Sequence, residues 1–149
     1  MTKYVVDTNL YVDATRSPHW NQALAGFQRR FAPLLHQHST VAQEILSGAR
    51  DRAGYRALYD RWVAPFEQLD RVYTPTHASW KRAALIVTRL VEKGRVSPGA
   101  FARSFLNDCL IAASARDEGF TLVTRNLRDF DLVSEVEPGF RFVEPWPER

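Results

Sequence analysis

The sequence predicts an α/β domain with a mainly parallel central sheet flanked by helices, and three observations carry that expectation. Tyr4-Val5-Val6 is an unbroken β-type apolar run without polar alternation, the pattern of a strand whose two faces are both covered by helices. Phe120-Thr121-Leu122-Val123-Thr124 is a second run of this kind, and both end in polar residues. Around them, stretches of helical periodicity alternate with short extended ones. Ligands of such sheets bind beyond the carboxyl ends of the strands, which is where Asp7 falls.

The elements follow in order. Ser17-Pro18 reads as an N-cap followed by the favoured first-turn proline. Trp20, Leu24, Phe27 and Phe31 then form one helical stripe, terminated by Pro33. Residues 34–38 read as a strand. Thr40-Val41-Ala42-Gln43 matches a capping box, so the next helix reaches about Gly48 with Glu44 in its first turn. From about Asp51 a helix presents Tyr55, Leu58, Tyr59 and Trp62 on one face and ends near Pro65, and Val72-Tyr73-Thr74 is a short extended piece. From Thr76 a longer helix is expected to bury Trp80, Ala84, Val87 and Leu90 or Val91, to stop at Gly94, and to carry a basic polar face. Ser97-Pro98-Gly99 interrupts the pattern. A helix bearing Phe101, Phe105, Asp108 and Ala112 then runs to about Glu118, with Gly119 as its stop. A short helix around residues 127–132 and an extended Phe140-Arg141-Phe142-Val143 complete the chain.

At 149 residues the chain fits one domain, residues 1–149, large enough to form a core without disulfides or structural metal. A hydrophobic content of 45% with mixed charge excludes an intrinsically disordered chain. The net charge of +3 is compatible with a polyanionic partner without specifying one. The single cysteine, Cys109, excludes an internal disulfide and reads as a small buried hydrophobe in a reducing compartment. Asp7 interrupts the first apolar run before a signal sequence can form, and no stretch is long enough to span a bilayer. The expected location is cytoplasmic, without membrane association.

An ionised carboxylate at the tip of a buried strand must be hydrogen-bonded, paired or metal-bound. Candidate companions of Asp7 are Glu44, Asp108, and Asn126 and Asp129 in the segment after the second apolar strand. Such oxygen donors suit a hard divalent cation, Mg²⁺ or Mn²⁺, better than zinc. Each also has a structural alternative. Taken alone, Asp7 reads as a turn former or helix cap rather than a site residue, Glu44 as a complement to a helix dipole, and Asp129 equally as a local backbone acceptor. His36 and His38 fit hydrogen-bonding or surface roles better than metal ligation. Between His77 and Phe105, Lys81, Arg82, Arg89, Lys93, Arg95 and Arg103 stand against one acid, Glu92. A basic face of this kind is either simply solvated or holds a polyanion beside an acidic pocket, with Lys81, Arg82 and Arg89 as the candidate contacts.

Four ordered motifs, Val5-Val6-Asp7-Thr8-Asn9, Val41-Ala42-Gln43-Glu44-Ile45-Leu46, Asn107-Asp108-Cys109-Leu110-Ile111-Ala112-Ala113-Ser114-Ala115 and Leu122-Val123-Thr124-Arg125-Asn126-Leu127-Arg128-Asp129-Phe130, span nearly the whole chain. In order and spacing they resemble the PIN domain, and within it the small VapC-type ribonuclease toxins. The resemblance implies a single PIN-like domain that hydrolyses RNA phosphodiester bonds with Mg²⁺ or Mn²⁺. Asp7, Glu44 and Asp108 match the first three acidic positions. Asn126 stands where many relatives carry Asp, with Asp129 one helical turn later. On this reading Asp7 and Asp108 are the main metal ligands and Glu44 supports or bridges a second ion. Asn126 or Asp129 orients water, and Thr8, Asn9 and Thr124 fix the carboxylates. The resemblance further implies a small antitoxin partner and a homodimer. The competing readings are a catalytically inactive PIN-like RNA-binding or scaffold domain and a non-toxin PIN nuclease of RNA processing. A haloacid-type phosphatase is disfavoured because Asn9 replaces the second acid of its Asp-x-Asp pattern.

Overall fold

The computed structural model describes residues 1–148. Its chain folds as β1 (Lys3–Val6), α1 (Thr8–Arg16), α2 (Pro18–Phe31), β2 (Leu35–His38), α3 (Ser39–Ser47), α4 (Arg52–Leu58), α5 (Ala64–Gln68), β3 (Val72–Tyr73), α6 (His77–Glu92), α7 (Arg103–Glu118), β4 (Phe120–Val123), α8 (Leu127–Ser134) and β5 (Arg141–Val143). The five strands form one sheet in the order β3-β2-β1-β4-β5, and every pairing is parallel. This is the α/β architecture that the apolar runs predict.

The order positions everything that follows. From β1 the chain builds outward to β2 and β3 on one side, then returns to place β4 and β5 on the other. The direction therefore reverses between β1 and β4, and the crevice past their carboxyl ends is the topological switch point of the sheet. Val6 pairs with Val123 there, and the Asp7 amide donates to the Val123 carbonyl at 2.9 Å. Asp7 and Thr124 are thus the next residues on two adjacent strands. Val5, Val6, Leu122 and Val123 are fully buried, which fixes this register, because a shift by one residue would turn Asp7 into the core.

Several helices begin and end where the sequence places them. Ser17 caps α2 with Pro18 in its first turn, and Thr76 caps α6 through the Ser79 amide. Gly119 ends α7 at φ +76°, and its amide donates to the Ala115 carbonyl at 2.8 Å, an arrangement that lets the chain turn directly into β4.

Other boundaries differ, each for a physical reason. Helix α1 is not expected from the sequence: its buried side chains are only Leu10, Tyr11 and Ala14, too few to produce a visible stripe. The cap of α3 is His38 rather than Thr40, since the His38 ring accepts from the Thr40 amide at 3.1 Å. Glu44 accordingly lies in the second turn. Helical structure does not end near Pro65 but passes through a π-helical segment, Tyr59–Val63, into α5, where Pro65 occupies a first-turn position that needs no N–H. Tyr55 is exposed, whereas Trp62 is buried. The buried face of α6 comprises Ser79, Ala83, Ile86, Val87 and Leu90, leaving Trp80 59% exposed. Ser79 turns that face toward α7 by donating its hydroxyl to Asp117 at 2.9 Å. Phe101 lies ahead of α7, which begins at Arg103.

Candidate active site

Asp7 is the centre of the site and is also the N-cap of α1. Its Oδ1 accepts from the Thr8 amide at 2.8 Å, and its Oδ2 accepts from the Thr124 hydroxyl at 2.6 Å and the Asn9 side-chain amide at 3.4 Å. The cap role and the site role therefore coincide, because a helix start at the strand tip needs an acceptor where a ligand site needs a carboxylate. Thr8 donates its hydroxyl to Glu44 Oε1 at 3.0 Å, tying α3 to the tip of β1. The Asn107 side chain, on α7 next to Asp108, also favours the charged form of Glu44. Asn107 does not stand out in the sequence, where its position immediately before Asp108 is the available signal.

Asn126 closes the far side. Its Nδ2 donates to Asp108 Oδ2 at 3.3 Å and to Asp129 Oδ2 at 3.1 Å, and its backbone amide donates to the Thr124 hydroxyl at 2.9 Å. One amide thus bridges two carboxylates from α7 and α8. The structure brings Asp7, Thr8, Asn9, Glu44, Asp108, Thr124, Asn126 and Asp129 into one connected network. An open pocket of about 840 Å³ adjoins it, lined in part by Asn126, Asp129, Arg95 and Arg128.

The electrostatics is that of crowded anions. Burial raises the Asp7 carboxyl above its usual range despite the donors on it. Burial first, then the neighbouring charge of Asp7, raises Glu44, against the opposing hydrogen bonds of Thr8 and Asn107. Asp108 is pushed from 3.8 to about 8, by burial and then by Asp7, Asp129 and Glu44. Such a group binds a proton on folding, so stability falls as pH rises from about 4 to about 8 and its penalty is complete only above both values. We expect chelator-treated wild type to lose melting temperature across this window more steeply than Asp108→Asn. Mg²⁺ or Mn²⁺ should then recover more stability in the wild type than in Asp7→Asn or Asp108→Asn. Equal slopes and equal recovery in thermal melts would remove Asp108 from the charged cluster.

The residues fit a hard divalent cation. Among the described residues no three His, Cys, Asp or Glu side chains form a ready ligand cage. Mg²⁺ does not require one, since it retains several waters and is usually held by one or two carboxylates. Repelling carboxylates offer that set, and Asn9 Oδ1 beside Asp7 is buried without a hydrogen-bond donor.

The other candidates separate from this site. Arg82 donates to Glu137 through Nε at 2.6 Å and Nη2 at 3.1 Å, so its charge is already paired. Lys81 and Arg82 lie near Ser79, which contacts Asp117; Asp108 is nine residues earlier on the same helix, about 13 Å away at 1.5 Å per residue. Arg89 reaches the Val136 carbonyl at 3.3 Å, and only the end of the basic segment, at Arg95, lines the pocket beside Asn126. His38 is buried, with Nδ1 on Thr40 and Nε2 on Ser114, and its pKa is lowered to about 4 by burial. Cys109 is buried, and desolvation raises its thiol to about 12, which makes it inert. No helix of the described residues is long and apolar enough to cross a membrane.

Comparison with known proteins agrees with this architecture. No curated protein matches the chain in sequence. Among solved structures, DNA-bound VapBC from Salmonella typhimurium aligns with a TM-score of 0.70 at 21% identity, covering 97% of this chain and 98% of that one. FitAcB from Neisseria gonorrhoeae aligns at 0.68 with 16% identity, covering 96% and 98%. VapBC2 from Rickettsia felis, bound to a promoter DNA fragment, aligns at 0.64 with 21% identity, covering 98% and 100%. These likenesses are of fold. The model of the PIN domain matches residues 4–136, which contain every residue of the acidic network, and the chain belongs to the PIN domain family.

Proposed function

We propose that the protein is a metal-dependent ribonuclease, the toxin of a toxin–antitoxin pair. The observation that carries the nuclease reading is the junction of Asp7, Glu44, Asp108 and Asp129 at the switch point of the sheet, with Asp108 raised to about 8 by burial and its acidic neighbours. That much mutual repulsion at a strand tip weakens the fold unless a cation offsets it. A divalent cation, Mg²⁺ or Mn²⁺, supplies the positive charge that offsets the attacking and leaving oxygens of a phosphodiester. Asp7 and Asp108 would hold it, with Glu44 supporting a second ion. Thr124 and Thr8 keep Asp7 and Glu44 aimed by donating to them, and Asn126 sets the separation of Asp108 and Asp129.

The test is hydrolysis by purified protein of single-stranded and structured RNAs with Mg²⁺, Mn²⁺ or EDTA. Cleavage with either metal and none with EDTA is expected; cleavage that persists in excess EDTA would refute the mechanism. Binding without cleavage would favour an inactive RNA-binding or scaffold domain.

Lys81 and Arg89 are exposed basic side chains on α6, and we assign them a long-range contribution to RNA attraction. Reversal of both charges should weaken binding and lower the magnitude of the log–log salt slope by roughly 1 for each phosphate no longer neutralised. An unchanged slope would mean that they are merely solvated.

The toxin reading is supported by the fold likeness to VapBC and FitAcB. A small antitoxin that places a cation among the acids, and a homodimer, complete the proposal. Expression alone should slow growth of a bacterial host, and Asp7→Asn or co-expression with an adjacent small gene product should relieve it. Harmless overexpression of an active ribonuclease would favour a non-toxin role in RNA processing.

A further inference from the structure

We infer that Arg125 is a positioning residue, which holds the β4–α8 loop against α1 so that Asn126 keeps Asp108 and Asp129 in place. The inference rests on the nuclease reading of the site. Arg125 stands between Thr124 and Asn126, both of which bond to the acids, yet its own side chain points away from them. Its Nη2 lies 2.5 Å from Asp13 Oδ2 on α1, and its guanidinium lies 5.0 Å from the centroid of the Trp20 ring on α2. The contact with Asp13 is an ion pair rather than an aligned hydrogen bond.

Two features give this clamp a purpose. First, α1 is the helix that Asp7 caps, so Arg125–Asp13 is an outer link between the same two segments that Thr124–Asp7 joins inside. Second, the loop enters α8 without a side-chain cap. Asn is among the best N-caps, but Asn126 precedes α8 without making a side-chain cap bond, and its Nδ2 instead donates to Asp108 and Asp129. Its backbone sits at φ −83°, ψ 64°, outside the extended region usual for caps. Thr124 secures the Asn126 amide from within, and Arg125 secures the loop from without. Arg125 is 45% exposed but Asp13 Oδ2 is buried, so Arg125→Ala leaves that oxygen unpaired and lowers the melting temperature, whereas Asp13→Asn, which removes the charge, changes it little.

The alternative role for Arg125 is direct contact with RNA, and Asp13 separates the two. If Arg125 grips RNA, Asp13→Asn frees its charge and tightens binding. If it positions the loop, Arg125→Ala and Asp13→Asn each lower kcat by roughly 10- to 100-fold with KM unchanged, and the double variant is no worse than either single one. Arg125→Lys should recover part of the loss. A readout independent of turnover is amide hydrogen exchange measured by NMR. The Asn126 amide should exchange about tenfold faster relative to Val6 and Leu122 in both variants than it does in the wild type. Unaltered Asn126 exchange in either variant would overturn the inference even if the wild type cleaves RNA. A wild type that fails to cleave would refute the nuclease reading, and the exchange rates alone would then decide whether the clamp holds the loop.

Discussion

Asp108→Asn is expected to reduce metal-dependent RNA cleavage about a thousandfold while raising the melting temperature of the metal-free protein at pH 8 by several degrees. The first effect follows from charge stabilisation of several kcal/mol in the transition state, since roughly 4 kcal/mol corresponds to three orders of magnitude in rate. The second follows from Asp108 being raised to about 8 by burial and the charges of Asp7, Asp129 and Glu44. An amide at this position removes the repulsion without changing shape, and its oxygen can still accept from Asn126 Nδ2, which now meets the carboxylate at 3.3 Å. Thermal melts and initial rates on one preparation decide the matter. Lost activity together with lost stability would place Asp108 in the fold rather than in the reaction, and retained activity would remove it from the site.

The acidic site is legible in the sequence because its anchors are local to the strand ends. Val6 and Val123 end apolar runs, so Asp7 and Thr124 are both expected at carboxyl ends of strands, while the adjacency that brings them together is a property of the sheet order. Asp108 is legible from its place among apolar neighbours on α7. What escapes the pattern is long-range or weakly marked. Helix α1 carries too few apolar side chains to mark a face. The bulk of Trp80 points to the wrong face of α6, because the packing is set by Ser79 and its bond to Asp117, 38 residues away. Arg82 reads as free positive charge because its partner Glu137 lies 55 positions further along, beyond any local pattern. Arg125 reads from sequence as one more basic residue until the fold brings Asp13 and Trp20 beside it.

Glu137→Gln is expected to destabilise the protein by about 1.5–3 kcal/mol, the range for losing hydrogen bonds to a charged group, which for a chain of this size lowers the melting temperature by roughly 5–10 °C. Glu137 is 1% exposed and receives Arg82 through two nitrogens, with Arg116 Nε at 3.5 Å from its Oε1. The cluster joins α6, α7 and the turn before β5, beside the Ser79–Asp117 bond that also ties α6 to α7. Neutralising the acid leaves the half-buried Arg82 side chain facing a neutral amide. Arg82→Glu should be worse, because it sets a second carboxylate against the first. Replacing both residues by Met should recover much of the loss, since an apolar pair of similar volume carries no unpaired charge. A Glu137→Gln melt within a degree or two of wild type would show that the cluster contributes no more than an exposed pair. The consequence bears on the proposed RNA contact: a reversal that includes Arg82 would weaken binding through unfolding, so the electrostatic contribution proposed for α6 must be measured on Lys81 and Arg89 alone.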